Sequence, residues 1–252
     1  MHKEYVRLNS QSRTAFLFIH GILGTPNHFG DFVSLVPDEL SVCNMLLDGH
    51  GNGVKDFSRT SMKKRESQVA SAVEELSRTH DRIYIVAHSL GTLLAIEQAV
   101  KNERIKGMML LAVPLKLSLK RKLFSNSFKV YRERIDDDDH EALAAKKCYG
   151  IGADKNPLHY VGWMPRFFEL FTKIRKTRKL VDSIKCPCHV FQSSGDEMVS
   201  VKSERYLCNN SCISLHLLEN SGHYFYGEYD FEYLISEFKG IIADEEGYIK
   251  AK

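Results

Sequence analysis

The sequence has no apolar run that approaches the length of a membrane span, and residues 1–5 lack the apolar core of a signal peptide. These two absences predict a cytoplasmic protein with no stable membrane insertion. The formal net charge is only +3, which is too small to indicate a nucleic-acid partner. No internal repeat or long low-complexity segment is present, and a composition of 43% hydrophobic and 27% charged residues is typical of a globular protein.

The six cysteines lack the spacings of the common cysteine motifs. Cys186 and Cys188 are separated by one residue, whereas a redox motif has two between its cysteines. Cys208 and Cys212 have no matching histidine pair that would complete a zinc site. A chain of 252 residues can bury a large core, so it needs no disulfide framework. We therefore expect six reduced thiols.

Apolar, strand-like runs alternate with segments of helical periodicity along most of the chain. The strand-like runs are 14–19, 42–47, 83–87, 107–113, 189–192 and 213–218. The helical segments are 27–35, 61–79, 90–101, 201–208 and 230–242. Strands that are apolar almost throughout are typical of a sheet covered on both faces. The pattern predicts an α/β fold with a mostly parallel, doubly wound sheet and helices on both faces.

The alternation breaks between residues 115 and 185. We interpret this stretch as a helical insertion, which leaves 1–114 and 186–252 as the core domain. Both ends of the insertion are basic, at 116–122 and 173–179. These ends could bind an anionic head group or a membrane surface, but a solvated helix face is favoured because lysine and arginine runs usually serve solubility.

Two further patterns in the insertion have alternative interpretations. The acidic run 136–139 could suggest calcium, but contiguous aspartates cannot all face one ion, so a solvated loop or a helix start is favoured. An aromatic cluster lies nearby, and it consists of Trp163, Met164, Phe167, Phe168 and Phe171. It predicts either the lining of an acyl pocket or a contact that fixes the insertion to the sheet, and both remain open.

Ser89 lies between a strand-like run and a helical segment, flanked two residues away by Ala87 and Gly91. Small residues at these positions allow a sharp turn to approach neighbouring backbone. A serine there can be an ordinary helix N-cap or a nucleophile exposed on a strand-to-helix turn. The second interpretation requires a base, a group that orients the base, and donors for an oxyanion.

Candidates for these roles follow other predicted strands. His223 comes after the run 213–218, and Asp196 comes after the run 189–192, with Glu197 as a second carboxylate beside it. The order serine, aspartate, histidine differs from that of chymotrypsin or subtilisin. The remaining requirement is a pair of donors to the oxyanion. The Ile22 N–H, in the glycine-containing segment after the first strand, could form an oxyanion hole together with the Leu90 N–H.

Taken together, these motifs resemble the α/β-hydrolase superfamily, and within it the small carboxylesterase and monoacylglycerol-lipase-like group. The matching segments are 20–25, 48–51, 88–91, 195–199 and 221–223. The resemblance implies Ser89 as nucleophile, His223 as base and Asp196 as its orienting partner. It also implies a cap between the strands at 107–113 and 189–192. Two departures are Ala87 in place of the more frequent glycine and a short N-terminus, which predicts reduced or missing antiparallel strands.

The expected activity is that of a serine hydrolase acting on small-molecule carboxylic esters, either acylglycerol-like or with short-to-medium acyl chains. The alternatives are acyl transfer or other chemistry of the α/β-hydrolase fold with the same triad, and a non-catalytic binding module. No cofactor and no metal are expected, because no histidine and carboxylate set has the spacing of metal ligands. His20 and His50 are expected to brace glycine loops, and His88 is expected to be structural. The sequence makes no prediction of the oligomeric state.

Overall fold

The computed structural model describes residues 3–118, 120, 121, 129, 130 and 135–250. The strands are β1 (Tyr5–Arg7), β2 (Thr14–Ile19), β3 (Ser41–Met45), β4 (Arg82–His88), β5 (Ile105–Leu111), β6 (Cys188–Ser193) and β7 (Ile213–Leu218). The helices are α1 (Gly30–Val33), α2 (Val54–Arg59), α3 (Met62–Thr79), α4 (Leu90–Lys101), α5 (His140–Cys148), α6 (Met164–Thr177) and α7 (Glu228–Lys250). Short 3-10 helices cover Pro26–Phe29, Pro157–Trp163, Val181–Ser183 and Val201–Tyr206.

The strands form one sheet of seven in the order β1-β3-β2-β4-β5-β6-β7. Every neighbouring pair is parallel except β1 with β3, which is antiparallel. The strand order reverses direction at β2, as in a doubly wound sheet, so crossovers leave on both faces. The predicted parallel sheet is confirmed, and the six predicted strands are all present.

Two apolar layers explain why the central strands are apolar throughout. Alternate residues of β2 point to opposite faces, and all six are buried. Leu17 lies in a cluster with residues of α3, α4 and α6. Phe16 and Phe18 lie in a second cluster with Phe32 of α1 and Phe238 of α7. Burial on both sides removes the polar alternation that a one-sided sheet would show.

The N-terminal edge of the sheet has one short antiparallel strand, in agreement with the expectation that such strands are reduced or missing. β1 has three residues and pairs with β3 from Tyr5 opposite Asn44 to Arg7 opposite Val42. It is the single antiparallel strand among the described residues. Tyr5 is exposed, so this strand adds backbone pairing at the edge rather than core.

The stretch between β5 and β6 contains α5 and α6, in agreement with the predicted helical character of the insertion. Asp139 caps α5 by accepting a hydrogen bond from the Ala142 N–H, which places the acidic run at a helix start. Part of the first basic end, including Lys122, lies outside the described residues. No helix in the described part of the chain is long and apolar enough to cross a membrane.

The aromatic cluster of the insertion divides into two groups. The Trp163 indole donates a hydrogen bond to the Val54 carbonyl and packs against the Phe57 ring, and Phe167 packs on the core. These contacts fix the insertion to α2 and to the core that covers the sheet. The other members, Met164, Phe168 and Phe171, have exposed side chains.

Candidate active site

Ser89 occupies the turn between the last residue of β4 and the first residue of α4. Its backbone has φ +49° and ψ −119°, a conformation that costs a non-glycine residue about 1–3 kcal/mol. Surrounding hydrogen bonds hold it there: the Ser89 N–H donates to the Leu111 carbonyl, and the Ser89 carbonyl accepts from the Thr92 N–H and hydroxyl. The Ser89 side chain makes no capping bond to the helix, so it does not act as a side-chain N-cap.

Two glycines, Gly91 in α4 and Gly21 in the segment after β2, allow neighbouring backbone to approach this turn closely. A Cβ on Gly91 would lie 2.1 Å from the Ile19 carbonyl oxygen, so no side chain fits there. A Cβ on Gly21 would lie 2.9 Å from the Ser89 Cβ. The glycine-containing segment after β2 therefore packs directly against Ser89. Ala87 is fully buried in the core, and the structure accommodates its methyl group.

The imidazole of His223 and the carboxylate of Asp196 form a buried pair. His223 Nδ1 lies 2.8 Å from Asp196 Oδ2, and both side chains are almost completely excluded from solvent. The second oxygen of Asp196, Oδ1, accepts hydrogen bonds from the N–H groups of Met198 and Val199, each at 2.7 Å. Both carboxylate oxygens thus have partners, which fixes the orientation of the carboxylate towards the ring.

Glu197 contacts the backbone of His223, whereas Asp196 contacts its ring. Its Oε2 accepts a hydrogen bond from the backbone N–H of His223 at 3.1 Å, whereas the His223 ring pairs with Asp196. The side chain is also buried. Glu197 therefore holds the loop that carries His223 and adds a negative charge close to the ring.

Burial opposes protonation of His223, but the charge and hydrogen bond of Asp196 and the charge of Glu197 outweigh it and raise the pKa of His223 above its ordinary value. The Nε2 atom of the ring is buried and has no hydrogen-bond partner within the described ranges. The ring is thus oriented through Nδ1 and leaves Nε2 available to exchange a proton.

Two further imidazoles pack together with the ring of His223. The His28 ring centroid is 4.2 Å from that of His88, which is 4.7 Å from that of His223. His88 Nε2 donates a hydrogen bond to the His223 carbonyl at 2.9 Å, as expected for a structural residue. Burial, with smaller effects of neighbouring imidazoles, lowers the pKa of His28 to about 3 and that of His88 well below its ordinary value. Both rings are therefore neutral.

His28 was not among the residues that the sequence indicated. It lies in the 3-10 helix after β2, and its ring contacts Cys148 Sγ through Nδ1 at 3.3 Å and the Tyr226 hydroxyl through Nε2 at 3.3 Å. These partners come from the insertion and from the segment before α7. No spacing motif joins such distant residues, so only their assembly in the fold reveals the cluster.

The predicted bracing histidines hold the loops near Ser89. His20 Nε2 accepts a hydrogen bond from the Leu47 N–H at 3.0 Å, and His50 Nε2 accepts one from the Leu23 N–H at 3.1 Å. Leu23 has φ +60°, a left-handed conformation that these bonds help to maintain. The bracing role predicted for His20 and His50 is confirmed.

The two predicted oxyanion donors belong to segments that adjoin Ser89. Ile22 is in the braced segment that packs on Ser89, and Leu90 is the first residue of α4, where a helix leaves backbone N–H groups without intrahelical partners. Both side chains are buried in the core. The segments that carry Ile22 and Leu90 thus adjoin Ser89, and His88, the residue before it, bonds to the His223 carbonyl.

Solved structures of several enzymes share this fold. One is from the metagenome-derived lipolytic enzymes LipS and LipT, with a TM-score of 0.72 and 20% identity over 96% of this chain and 98% of that chain. A second is the monoacylglycerol lipase of Paleococcus ferrophilus, with a TM-score of 0.66 and 17% identity over 96% and 99% of the two chains. A third is a soluble variant of monoglyceride lipase from Saccharomyces cerevisiae, with a TM-score of 0.65 and 13% identity over 96% and 90%.

At these identities the similarity concerns the fold, and it confirms the predicted α/β-hydrolase architecture. A comparison with curated protein sequences found no match. The model of the alpha/beta hydrolase family matches residues 16–235, a range that includes every predicted site residue from Ile22 to His223. The chain therefore belongs to the alpha/beta hydrolase family.

Proposed function

We propose that the protein is a serine hydrolase that cleaves small carboxylic esters through an acyl-enzyme on Ser89. The observation that carries the proposal is the buried His223–Asp196 pair, whose ring leaves Nε2 without a partner, at the strand ends that also carry a strained serine. A serine hydroxyl is a weak nucleophile, and an adjacent, oriented imidazole activates it. Membership of a hydrolase family is consistent with this chemistry.

In the proposed first half-reaction, Ser89 Oγ attacks the ester carbonyl carbon while His223 Nε2 takes the hydroxyl proton. Asp196 stabilises the imidazolium that forms. The tetrahedral intermediate collapses as the bond between the carbonyl carbon and the alcohol oxygen breaks, and His223 returns the proton to the departing alcohol. A water molecule then repeats the sequence on the acyl-enzyme and releases the acid.

The N–H groups of Ile22 and Leu90 are the proposed donors to the oxyanion. Their support is the close packing of the glycine-containing segment on Ser89 and the position of Leu90 at a helix N-terminus. Each such donor contributes about 3 kcal/mol to stabilisation of the transition state. The glycine at position 21 makes this approach possible, since any side chain there would collide with Ser89.

Residues 115–185 are the proposed cap, and 1–114 with 186–252 the proposed catalytic core. After α5, the Gly150 N–H donates to the Leu23 carbonyl at 2.7 Å, so the insertion contacts the braced loop beside Ser89. Ser89 and His223 are both almost fully buried. A cap in this position would select substrates by size, and the similar structures of lipolytic enzymes and monoacylglycerol lipases favour acylglycerol-like or short-to-medium acyl esters.

The experiment that tests the proposal compares Ser89→Ala with the parent protein in p-nitrophenyl ester hydrolysis. We expect a folded variant without measurable turnover and without labelling by a fluorophosphonate probe. Ser34→Ala, which alters an exposed serine, is the matched control and should retain both signals. Undiminished turnover in Ser89→Ala would exclude Ser89 as the nucleophile.

A further inference from the structure

Three side chains that can ligate a metal meet at the edge of the sheet, outside the candidate active site. They are His189 on β6, His216 on β7 and Glu237 on α7. Because Phe191 pairs with His216 across the two strands, His189 and His216 are diagonal neighbours on one face. α7 covers this face and supplies the carboxylate. His189 lies near the start of β6, whereas Asp196 follows its end.

The distances among the ligand atoms approach those of a zinc site. His189 Nδ1 is 3.2 Å and His216 Nε2 is 3.9 Å from Oε2 of Glu237, and all three atoms lie within 4.8 Å of one another. Tetrahedral zinc with bonds of about 2.0–2.2 Å separates its ligand atoms by about 3.4 Å. The His189–Glu237 pair already has about this separation, and a bound zinc ion would draw these two partly exposed side chains closer to His216.

The His216 ring is held in an orientation that suits a metal ligand. It stacks on the Phe191 ring at 4.5 Å with an interplanar angle of 14°, and its Nδ1 hydrogen-bonds with the Tyr233 hydroxyl at 2.6 Å. When Nδ1 carries the proton of that bond, the Nε2 lone pair faces the Glu237 carboxylate. Histidines that bind metals are commonly fixed in this way through the other ring nitrogen.

The Nε2 atom of His216 is buried and lacks a hydrogen-bond partner in the part of the chain that the structure describes. A lone pair that faces a carboxylate oxygen at 3.9 Å is electrostatically unfavourable, and a cation bound between the two atoms would make this contact favourable. An ion can enter from solvent, since the side chains of His189 and Glu237 keep 31% and 26% exposure. Two imidazoles and one carboxylate match the ligand preference of zinc rather than that of magnesium or calcium.

We propose that His189, His216 and Glu237 bind one zinc ion that fastens α7 to the edge strand β7, with water as the fourth ligand. This proposal departs from the expectation that the chain holds no metal. That expectation was based on local spacing, and here each ligand comes from a different secondary-structure element. The proposal is independent of the ester hydrolysis proposed above.

Calorimetric titration of the metal-free, thiol-reduced protein with zinc chloride tests the site. We expect one zinc ion per chain and no comparable binding of magnesium chloride. Zinc at about a hundredfold excess over the measured Kd should raise Tm by about 5–10 °C, because binding to the folded state stabilises it by mass action. Absence of zinc binding would overturn the proposal.

Variants distinguish this site from other zinc ligands of the chain. Glu237→Gln and His189→Gln should each weaken zinc binding at least tenfold, and Tyr233→Phe should weaken it by about tenfold through loss of the bond that orients His216. His159→Gln, which alters a histidine paired with Asp154 elsewhere on the surface, should leave the affinity unchanged. Circular dichroism without zinc checks that each variant is folded.

Thiolates are the competing ligands, because Cys208 is exposed and Cys212 lies four residues away. The double variant Cys208→Ser, Cys212→Ser should bind zinc as the parent does. Loss of binding in this variant, or unchanged binding in both Glu237→Gln and His189→Gln, would overturn the assignment.

Discussion

Replacement of Asp196 by asparagine isolates the role of the carboxylate because the structure determines how the amide must lie. Oδ1 of Asp196 accepts two hydrogen bonds, from the N–H groups of Met198 and Val199, each at 2.7 Å. An amide NH₂ in that position would face two donors and lose both bonds. The asparagine oxygen therefore stays on the backbone N–H groups, and the NH₂ faces His223 Nδ1 in place of Oδ2.

The consequence is a change of tautomer at His223. Nδ1 then accepts a hydrogen bond from the amide, so the ring proton moves to Nε2. A ring with Nε2–H cannot take the proton of Ser89, and the stabilisation of the imidazolium is also lost. In a serine–histidine–aspartate triad this change lowers kcat about 10⁴-fold, which corresponds to about 5.4 kcal/mol of transition-state stabilisation.

The assay is p-nitrophenyl ester hydrolysis, with kcat and KM measured across the pH range. We expect the loss in kcat with KM little changed, because the substitution does not alter the substrate-binding surface. Circular dichroism should show a folded protein, since the two backbone hydrogen bonds and the buried volume are kept. A folded Asp196→Asn variant that retains activity within about tenfold of the parent would refute the reasoning.

Glu197→Gln is the matched control, because it also converts a buried carboxylate to an amide beside the same histidine. Its oxygen can still accept the His223 N–H, so we expect the plateau of kcat to stay within about tenfold of the parent. Loss of the charge removes one of the effects that raise the pKa of His223. Since His223 must be neutral to act as a base, the acid limb of the pH profile should move to lower pH. A shift to higher pH would contradict this account.

Two further predictions concern stability. Gly91→Ala should lower the free energy of unfolding by about 3 kcal/mol or more, since its Cβ would lie 2.1 Å from a carbonyl oxygen of β2. Gly240→Ala is the control, because its Cβ would meet open space in α7. This variant should raise the free energy of unfolding by up to about 1 kcal/mol. Lys173→Met should lower the free energy of unfolding by about 3 kcal/mol because the substitution removes the buried cation between Glu66 and Glu97. Urea denaturation measures all three variants. If Gly91→Ala or Lys173→Met were as stable as the parent, the corresponding argument would be wrong.

The central parallel strands could be predicted from the sequence because they are buried on both faces, and the strands end at a glycine, a polar loop or a proline. The predicted run 14–19 coincides with β2, and 213–218 coincides with β7. The run 107–113 is displaced from β5, which covers Ile105–Leu111. Ala112 has φ +54°, so the extended backbone stops there although the side chains that follow are still apolar and buried.

Short elements were missed for a different reason. β1 exists through its backbone pairing with β3, and its three residues are too few to show a period. α2 covers six residues, Val54–Arg59, of which Val54 and Phe57 are buried. The predicted helix at 201–208 is a 3-10 helix over Val201–Tyr206. Periodicity detects a buried face over several turns, and these segments have one or two.

The sequence indicated the residues of the candidate site, but it did not indicate that buried histidines pack near His223. Motif residues such as Ser89 and His223 lie at the ends of strands, where the sequence carries a signal, but His28 and its packing on His88 follow from tertiary assembly alone. This packing has an electrostatic consequence. Because burial keeps the pKa values of His28 and His88 low, neither ring takes up the proton that His223 accepts from Ser89 in the proposed mechanism.

The two carboxylates therefore raise the pKa of His223, and the neutral imidazoles do not oppose this effect. Asp196 and Glu197 favour a positive charge on His223 from one side, while the neighbouring histidines stay neutral and add no competing positive charge of their own. A positive charge at position 28, as in His28→Lys, would lie on the far side of the His88 ring from His223 and oppose protonation of His223. The arrangement thus favours protonation of the single imidazole that is oriented by Asp196, as the proposed mechanism requires of the general base for Ser89.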